Sequence, residues 1–248
     1  MALKSKIVAS AGEGTASIEG WKPVRARTMV DEAVDAIIAA AARGLILPGD
    51  RIVETEIAQK LNISRVPVRE ALRLLESQGI VISEPYKGIR LAPVTRERID
   101  QVLEVRVALE LIAVRRTVSL GRHKDSSAVR RLERCIDELQ LMATRKDSYG
   151  LAQADVAFHR ELCDISGNDF LRTLWEGVAR QLTIVVGLST LDKSMKDIVK
   201  EHRTLLEAVI TGDIKKIEKA LEEHIRDQNA SVDLDKIIGA RRKARPLG

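Results

Sequence analysis

The amino-acid sequence predicts a mainly α-helical protein in two parts, a small N-terminal unit of three helices and a hairpin followed by an all-α antiparallel bundle of about six helices. Three observations carry that expectation. Apolar residues recur at helical spacing over most of the 248 residues. Two short strand-like runs, residues 80–83 and 89–92, follow the third helical segment. Beyond Pro93 no proline interrupts the chain until Pro246, so the second part is free to be helix throughout.

Residues 1–27 contain Gly, Ser, Ala and Lys without helical periodicity and read as a mobile arm. Over residues 29–43, Val30, Val34, Ile37, Ile38 and Ala41 share one helix face, and Gly44 followed by Pro48-Gly49 ends the run. A short helix over residues 54–61 carries Glu54 and Glu56 in its first turn, where carboxylates suit the helix dipole. After the tight Asn62-Ile63 connection, Ser64 fits the N-cap of a third helix reaching Gln78. Pro67 sits in its first turn, where a missing N–H costs little, and Gly79 suits the left-handed position after it. Three helices and a hairpin turned at Tyr86-Lys87-Gly88 make a winged helix-turn-helix over residues 28–94.

The bundle takes residues 95–232, with helices expected at 95–120, 126–144, 149–165, 169–189, 194–211 and 213–230. Residues 233–248, with Arg241, Arg242, Lys243 and Arg245, read as a solvated, disordered basic tail.

Composition excludes several classes. Net charge of +5 is only mildly basic, so affinity for nucleic acid has to come from local clustering. Aromatic residues make up 2% of the chain, too few for the stacking platforms that grip single strands, which leaves duplex DNA as the better partner. Cys135 and Cys163 read as reduced thiols of a cytosolic protein. No membrane span and no signal peptide are evident, and a cytoplasmic protein is expected.

The third helix has two faces. Val68, Ala71, Leu72 and Leu75 form a packing stripe, while Arg65, Arg69 and Arg73 follow at i, i+4 and i+8 on another side. N-terminal residues of such a helix enter the major groove, where arginine donates two hydrogen bonds to guanine O6 and N7. Arg65 and Arg69 are therefore expected to read bases or clamp phosphates, and Arg73 to pair with Glu70 or Glu76. Ser64 can reach a phosphate, and Lys87 and Gly88 at the wing tip suit close approach to DNA.

In the bundle, Asp155 and His159 are i, i+4 neighbours, His202 lies in line with Ile198, Val199, Leu205, Leu206 and Val209, and His224 continues the stripe of Ile217, Ala220 and Leu221. One histidine on an apolar face is usually a satisfied core residue. Three, with a carboxylate, point to a divalent transition metal, zinc first, with nickel, manganese or iron also suited to such ligands. His123, in a polar loop, is expected to face solvent.

The run LPGDRIVETEIAQKLNISRVPVREALRLLESQGIV resembles the N-terminal domain of the GntR family of bacterial transcription regulators, SRVPVREAL being its most specific segment. The resemblance implies that Arg51, Ser64, Arg65, Arg69 and Gly88 occupy DNA-contacting positions. Val66 stands where many relatives have threonine, and Thr55 where some place another DNA-contacting arginine. The pieces EVRVALE, DVAFHRELCDISGND and EHRTLLEAVITGD, with His224, resemble the FCD ligand-sensing domain of the FadR-like branch, and six helices suggest its VanR-like subgroup. In metal-binding members one aspartate and three histidines hold the ion, matched here by Asp155, His159, His202 and His224. Arg106 would then meet the carboxylate of an organic-acid effector, or simply pair with Glu110 at i+4.

These features imply a homodimeric regulator, most often a repressor in the family, that binds operator DNA under control of a metal and a small carboxylate. The alternative is a metalloenzyme with an appended DNA-binding domain. Neither an HExxH motif, a triad with a spare histidine nor a glycine-rich phosphate loop is present to supply its chemistry, so no enzyme is expected. A sequence-neutral DNA-coating protein fits poorly with mild charge and a dedicated recognition helix.

Overall fold

The computed structural model describes residues 28–190, 194–230 and 233–244; the N-terminal arm expected over residues 1–27 lies outside them. Helix α1 (Met29–Ala42) starts in a capping box: the Thr28 hydroxyl accepts from the Asp31 N–H at 3.1 Å, and the Asp31 carboxylate accepts from the Thr28 N–H at 3.1 Å. Strand β1 (Arg51–Ile52), α2 (Glu54–Leu61), α3 (Arg65–Ser77), β2 (Val81–Glu84) and β3 (Gly88–Leu91) follow. Asn62, at φ 53°, makes the tight turn between α2 and α3, and Gly79, at φ 68°, takes the left-handed position after α3. Ser64 occupies the N-cap of α3, but its hydroxyl makes no capping bond.

The sheet contains a third strand that periodicity could not announce, because β1 is two residues long. It pairs antiparallel with β3 in the order β1-β3-β2, with Arg51 opposite Arg90 and Ile52 opposite Ile89. The wing is thereby tied back to the segment before α2.

The bundle comprises α4 (Arg96–Ser119), α5 (Ser126–Arg145), α6 (Ser148–Ile165), α7 (Asp169–Ser189), α8 (Met195–Thr211) and α9 (Ile214–Ala230), the six helices expected. Side chains of Thr95, Asp125, Asp147, Asn168 and Ser194 cap the N-termini of the first five, which explains why these helices begin where they do. None of the helices among the described residues is long and apolar enough to cross a membrane.

Two expectations are corrected. The basic tail is not without structure: Leu234–Lys243 form a helix, α10, capped by Asp233 and anchored by buried Leu234 and Ile237 against α7. Its apolar positions are too few to read as a stripe, and a tertiary contact completes it: Arg242 donates to the Pro48 carbonyl at 2.5 Å. Nor does His123 face solvent. It lies in a 3-10 turn (Arg122–Lys124) packed against Gly212 at the end of α8, while Arg122 donates to the Ile165 carbonyl at 2.9 Å. The loop is polar in sequence because its arginine caps a helix end.

The two units share one continuous hydrophobic core. Helix α1 packs on α7, and Gly187 lets them approach: a Cβ there would stand 2.6 Å from the Ala42 Cβ and 2.8 Å from its carbonyl oxygen. Gln181 donates to the Gln78 carbonyl at 2.8 Å, and the Arg43 guanidinium lies 4.6 Å over the Tyr149 ring. Helix α7 thus reaches from this seam to the bundle centre, where its Trp175 is fully buried.

Candidate metal centre and nucleic-acid interface

Asp155 and His159 project inward from α6, His202 from α8 and His224 from α9; the first three are fully buried and His224 is nearly so. One ring nitrogen from each of the three histidines lies within 4.8 Å of the other two. The His159 and His224 Nε2 atoms are 3.1 Å apart, and His202 Nε2 is 3.2 Å from Asp155 Oδ1. Tetrahedral nitrogen ligands about 2.0–2.1 Å from an ion stand about 3.4 Å from one another, so small inward shifts suffice and the residues fit a divalent metal.

The second ring nitrogens explain the aim. The Glu110 carboxylate can only accept, so His159 Nδ1 carries a hydrogen and donates to it at 2.7 Å. Likewise His202 Nδ1 donates to the Ile198 carbonyl at 2.7 Å. His159 is left with an Nε2 lone pair facing the cluster, the arrangement in which an outer partner orients a metal-binding imidazole, and His202, held at Nδ1, turns its Nε2 toward Asp155. His224 Nδ1 is buried and has no hydrogen-bond partner among the described residues. The edges of Phe158 hold the rings of His159 and His202 at centroid distances of 5.3 and 5.0 Å.

Electrostatics keep the cluster ready for a cation. Burial, then the Arg106 charge, hold His159 below the usual imidazole range, and burial with the neighbouring histidines holds His224 well below it. For Asp155, burial opposes ionisation but is outweighed by the hydrogen bond and charge of His202, with His159 and Arg106 adding to it, so its carboxyl is held well below the usual range.

Arg106 and Glu110 do form the i, i+4 pair, with Arg106 Nε donating to Glu110 Oε1 at 2.8 Å. That pair does not satisfy the guanidinium: Nη1 and Nη2 are buried with no hydrogen-bond partner among the described residues, and Cζ lies 5.9 Å from the Trp175 ring centroid. Glu110 itself, bridging Arg106 and His159, was visible in sequence only as a partner for Arg106; a carboxylate on the buried stripe of its helix was the available signal. With the imidazoles neutral, as ligands of a metal must be, one positive and two negative buried side chains leave the site one charge negative. A divalent ion would make it one positive, and a monocarboxylate against Arg106 would balance it.

At the other end of the chain, Ser64, Arg65 and Arg69 are exposed along the N-terminal half of α3, with Val68, Ala71, Leu72 and Leu75 buried opposite. Arg73 pairs with Glu70 at 3.0 Å. At the wing tip Lys87 pairs with Glu84 at 3.0 Å, Tyr86 is fully exposed at φ 65°, and Gly88 adopts φ 78°. Arg51 lies against Gly88, its Nε 3.4 Å from where a Cβ would be, so β1 brings these two together. Sequence reasoning missed Glu54, the first residue of α2, which ion-pairs with both Arg65 and Arg69.

Comparison with known proteins agrees with both halves. Residues 29–91 match the model of bacterial regulatory proteins of the gntR family, and residues 101–227 match the FCD domain. The chain is 30% identical over 207 residues to the HTH-type transcriptional regulator LutR of Bacillus subtilis, covering 73% of this chain and 91% of that protein. It is 28% identical to a probable D-xylose utilization operon transcriptional repressor of Paenarthrobacter nicotinovorans, over 80% of this chain and 86% of the other. Among solved structures, McbR/YncC of E. coli superposes with a TM-score of 0.70 at 18% identity, covering 87% of this chain and 99% of the other, a likeness of fold. With both halves matched in order, the chain belongs to the GntR family, carries its FCD domain, and is a DNA-binding transcriptional regulator of that type.

Proposed function

We propose that this chain is a metabolite-responsive repressor: residues 28–94 bind operator DNA, and residues 95–232 hold a divalent transition metal, zinc first, together with a small organic acid. The supporting observation is the buried cluster of three converging imidazole nitrogens beside a guanidinium with two nitrogens unpartnered among the described residues. Asp155, His159, His202 and His224 would hold the ion, and Arg106 the effector carboxylate. Bound metal would supply an anchor for the acid's remaining oxygens. Arg51, Ser64, Arg65, Arg69, Lys87 and Gly88 would contact DNA.

Helix α7 gives the two sites a common mechanical element. Its Trp175 ring lies 6.3 Å from His159, and its far end meets α1 through Gly187 and Ala42. An acid that favours one placement of α7 shifts the operator-binding population only by its differential affinity for that placement. Repression from paired half-sites needs two copies, related so that two α3 helices meet successive major grooves about 34 Å apart. Exposed Val105 and Ile112 on α4, and Phe170 and Leu174 on the neighbouring α7, offer an apolar surface for that second copy.

The test is metal analysis of the native chain and of His202→Ala and His224→Ala, followed by operator binding with and without candidate carboxylic acids. About one metal per chain, lost in both variants, with an acid that changes operator affinity only in the native protein, supports the reading. Metal that binds while no acid alters DNA affinity would reduce the ion to a structural staple.

A further inference from the structure

Glu54 meets the two arginines of α3 unequally. It takes Arg69 side-on, with Nε to Oε1 at 3.2 Å and Nη2 to Oε2 at 3.1 Å, and touches Arg65 only once, Nη2 to Oε2 at 3.4 Å. The Arg69 contact is the planar bidentate geometry that matches a carboxylate to a guanidinium. Its consequence is directional. With Nε and one hydrogen of Nη2 engaged, Arg69 keeps its end-on edge, Nη1 and the outer N–H of Nη2, as a fixed pair of parallel donors. Two parallel donors at that spacing match O6 and N7 of guanine.

Resting on α3 as the groove-entering helix, we propose that Glu54 is a positioning residue that makes Arg69 a guanine reader, while Arg65, held by a single long contact, is released to a phosphate. The surroundings agree. Glu54 is the first residue of α2, where the helix dipole favours a carboxylate, and the hydrogen bond from Arg69 outweighs desolvation to hold its carboxyl below the usual range. Its side chain is 21% exposed, against 46% for Arg69 and 58% for Arg65, so the carboxylate sits behind the two guanidiniums and presents them outward. A carboxylate there also screens both arginines from random phosphates, which favours sequence-dependent over sequence-independent binding. Sequence alone gives no hint of this, since Glu54 and Arg69 are 15 residues apart on different helices.

The experiment selects duplexes from a random library with the native full-length chain, then measures affinities of native, Arg69→Ala, Arg69→Lys and Glu54→Ala proteins for the best duplex and its single-base variants. Thermal melts establish that each is folded. The expected result is a guanine in each half-site whose replacement costs the native protein roughly ten-fold or more. Arg69→Lys and Glu54→Ala should both flatten that preference, and Glu54→Ala should bind random duplex more tightly with a steeper salt dependence. If Arg69→Lys keeps the guanine preference, Arg69 is a phosphate clamp, and if a folded Glu54→Ala keeps it, Arg69 reads without being positioned by Glu54; either result overturns the inference, although α3 still reads DNA. If Arg69→Ala binds the selected duplex as well as the native chain does, the placement of α3 in the groove fails with it.

Discussion

Replacing Glu110 by alanine tests the bundle centre most sharply. This carboxylate is fully buried and accepts from Arg106 at 2.8 Å and from His159 at 2.7 Å. Removing one member of a buried ion pair costs about 3–5 kcal/mol, because the surviving charge stays desolvated. Each kcal/mol shifts the melting temperature of a domain of 150–250 residues by about 2–4 °C, so the metal-free variant is expected to melt about 6–20 °C below the native chain. The same change frees His159 Nδ1 and unfixes its tautomer, and loss of such an outer partner lowers metal affinity about 10- to 100-fold. Calorimetry in chelator reads the first quantity, and competition against a zinc-binding dye reads the second. A second variant separates charge from packing: Glu110→Ala with Arg106→Met removes both partners and should regain much of the lost stability. A Glu110→Ala protein that melts within about 2 °C of native and binds zinc unchanged would refute the reasoning, since it would mean that neither Arg106 nor His159 depends on that carboxylate.

Gly187→Ala places a methyl group 2.6 Å from the Ala42 Cβ, so overpacking of about 1–3 kcal/mol is expected, together with altered operator affinity at unchanged metal binding. Equal melting temperatures for variant and native would show that α1 and α7 are not held as close as described. Phe170→Glu, on a side chain 72% exposed, should leave the monomer's stability nearly unchanged and lower the dimer fraction in sedimentation equilibrium; an unaltered dimer would put the interface elsewhere. Burial pushes the Cys135 thiol up to about 11, so its thiolate, and hence alkylation by iodoacetamide in the native protein, should rise only as pH approaches that value. Fast modification at pH 8 would contradict its half-buried placement.

Local signals in the sequence determined most of the architecture. Capping residues such as Thr95, Asp125 and Ser194 and left-handed glycines such as Gly79 and Gly212 mark helix ends through interactions a few residues long. The apolar stripes carried His202 and His224 inward with them, which is why the three clustered histidines were legible before any fold was known. What only the tertiary structure decided are the contacts between elements far apart in the chain. Glu110 oriented on His159, Glu54 behind Arg69, Gly187 against Ala42, α10 held at Pro48 and buried His123 all depend on which helix faces which. Periodicity states that a side chain points inward; the packing of helices against one another decides what it meets there.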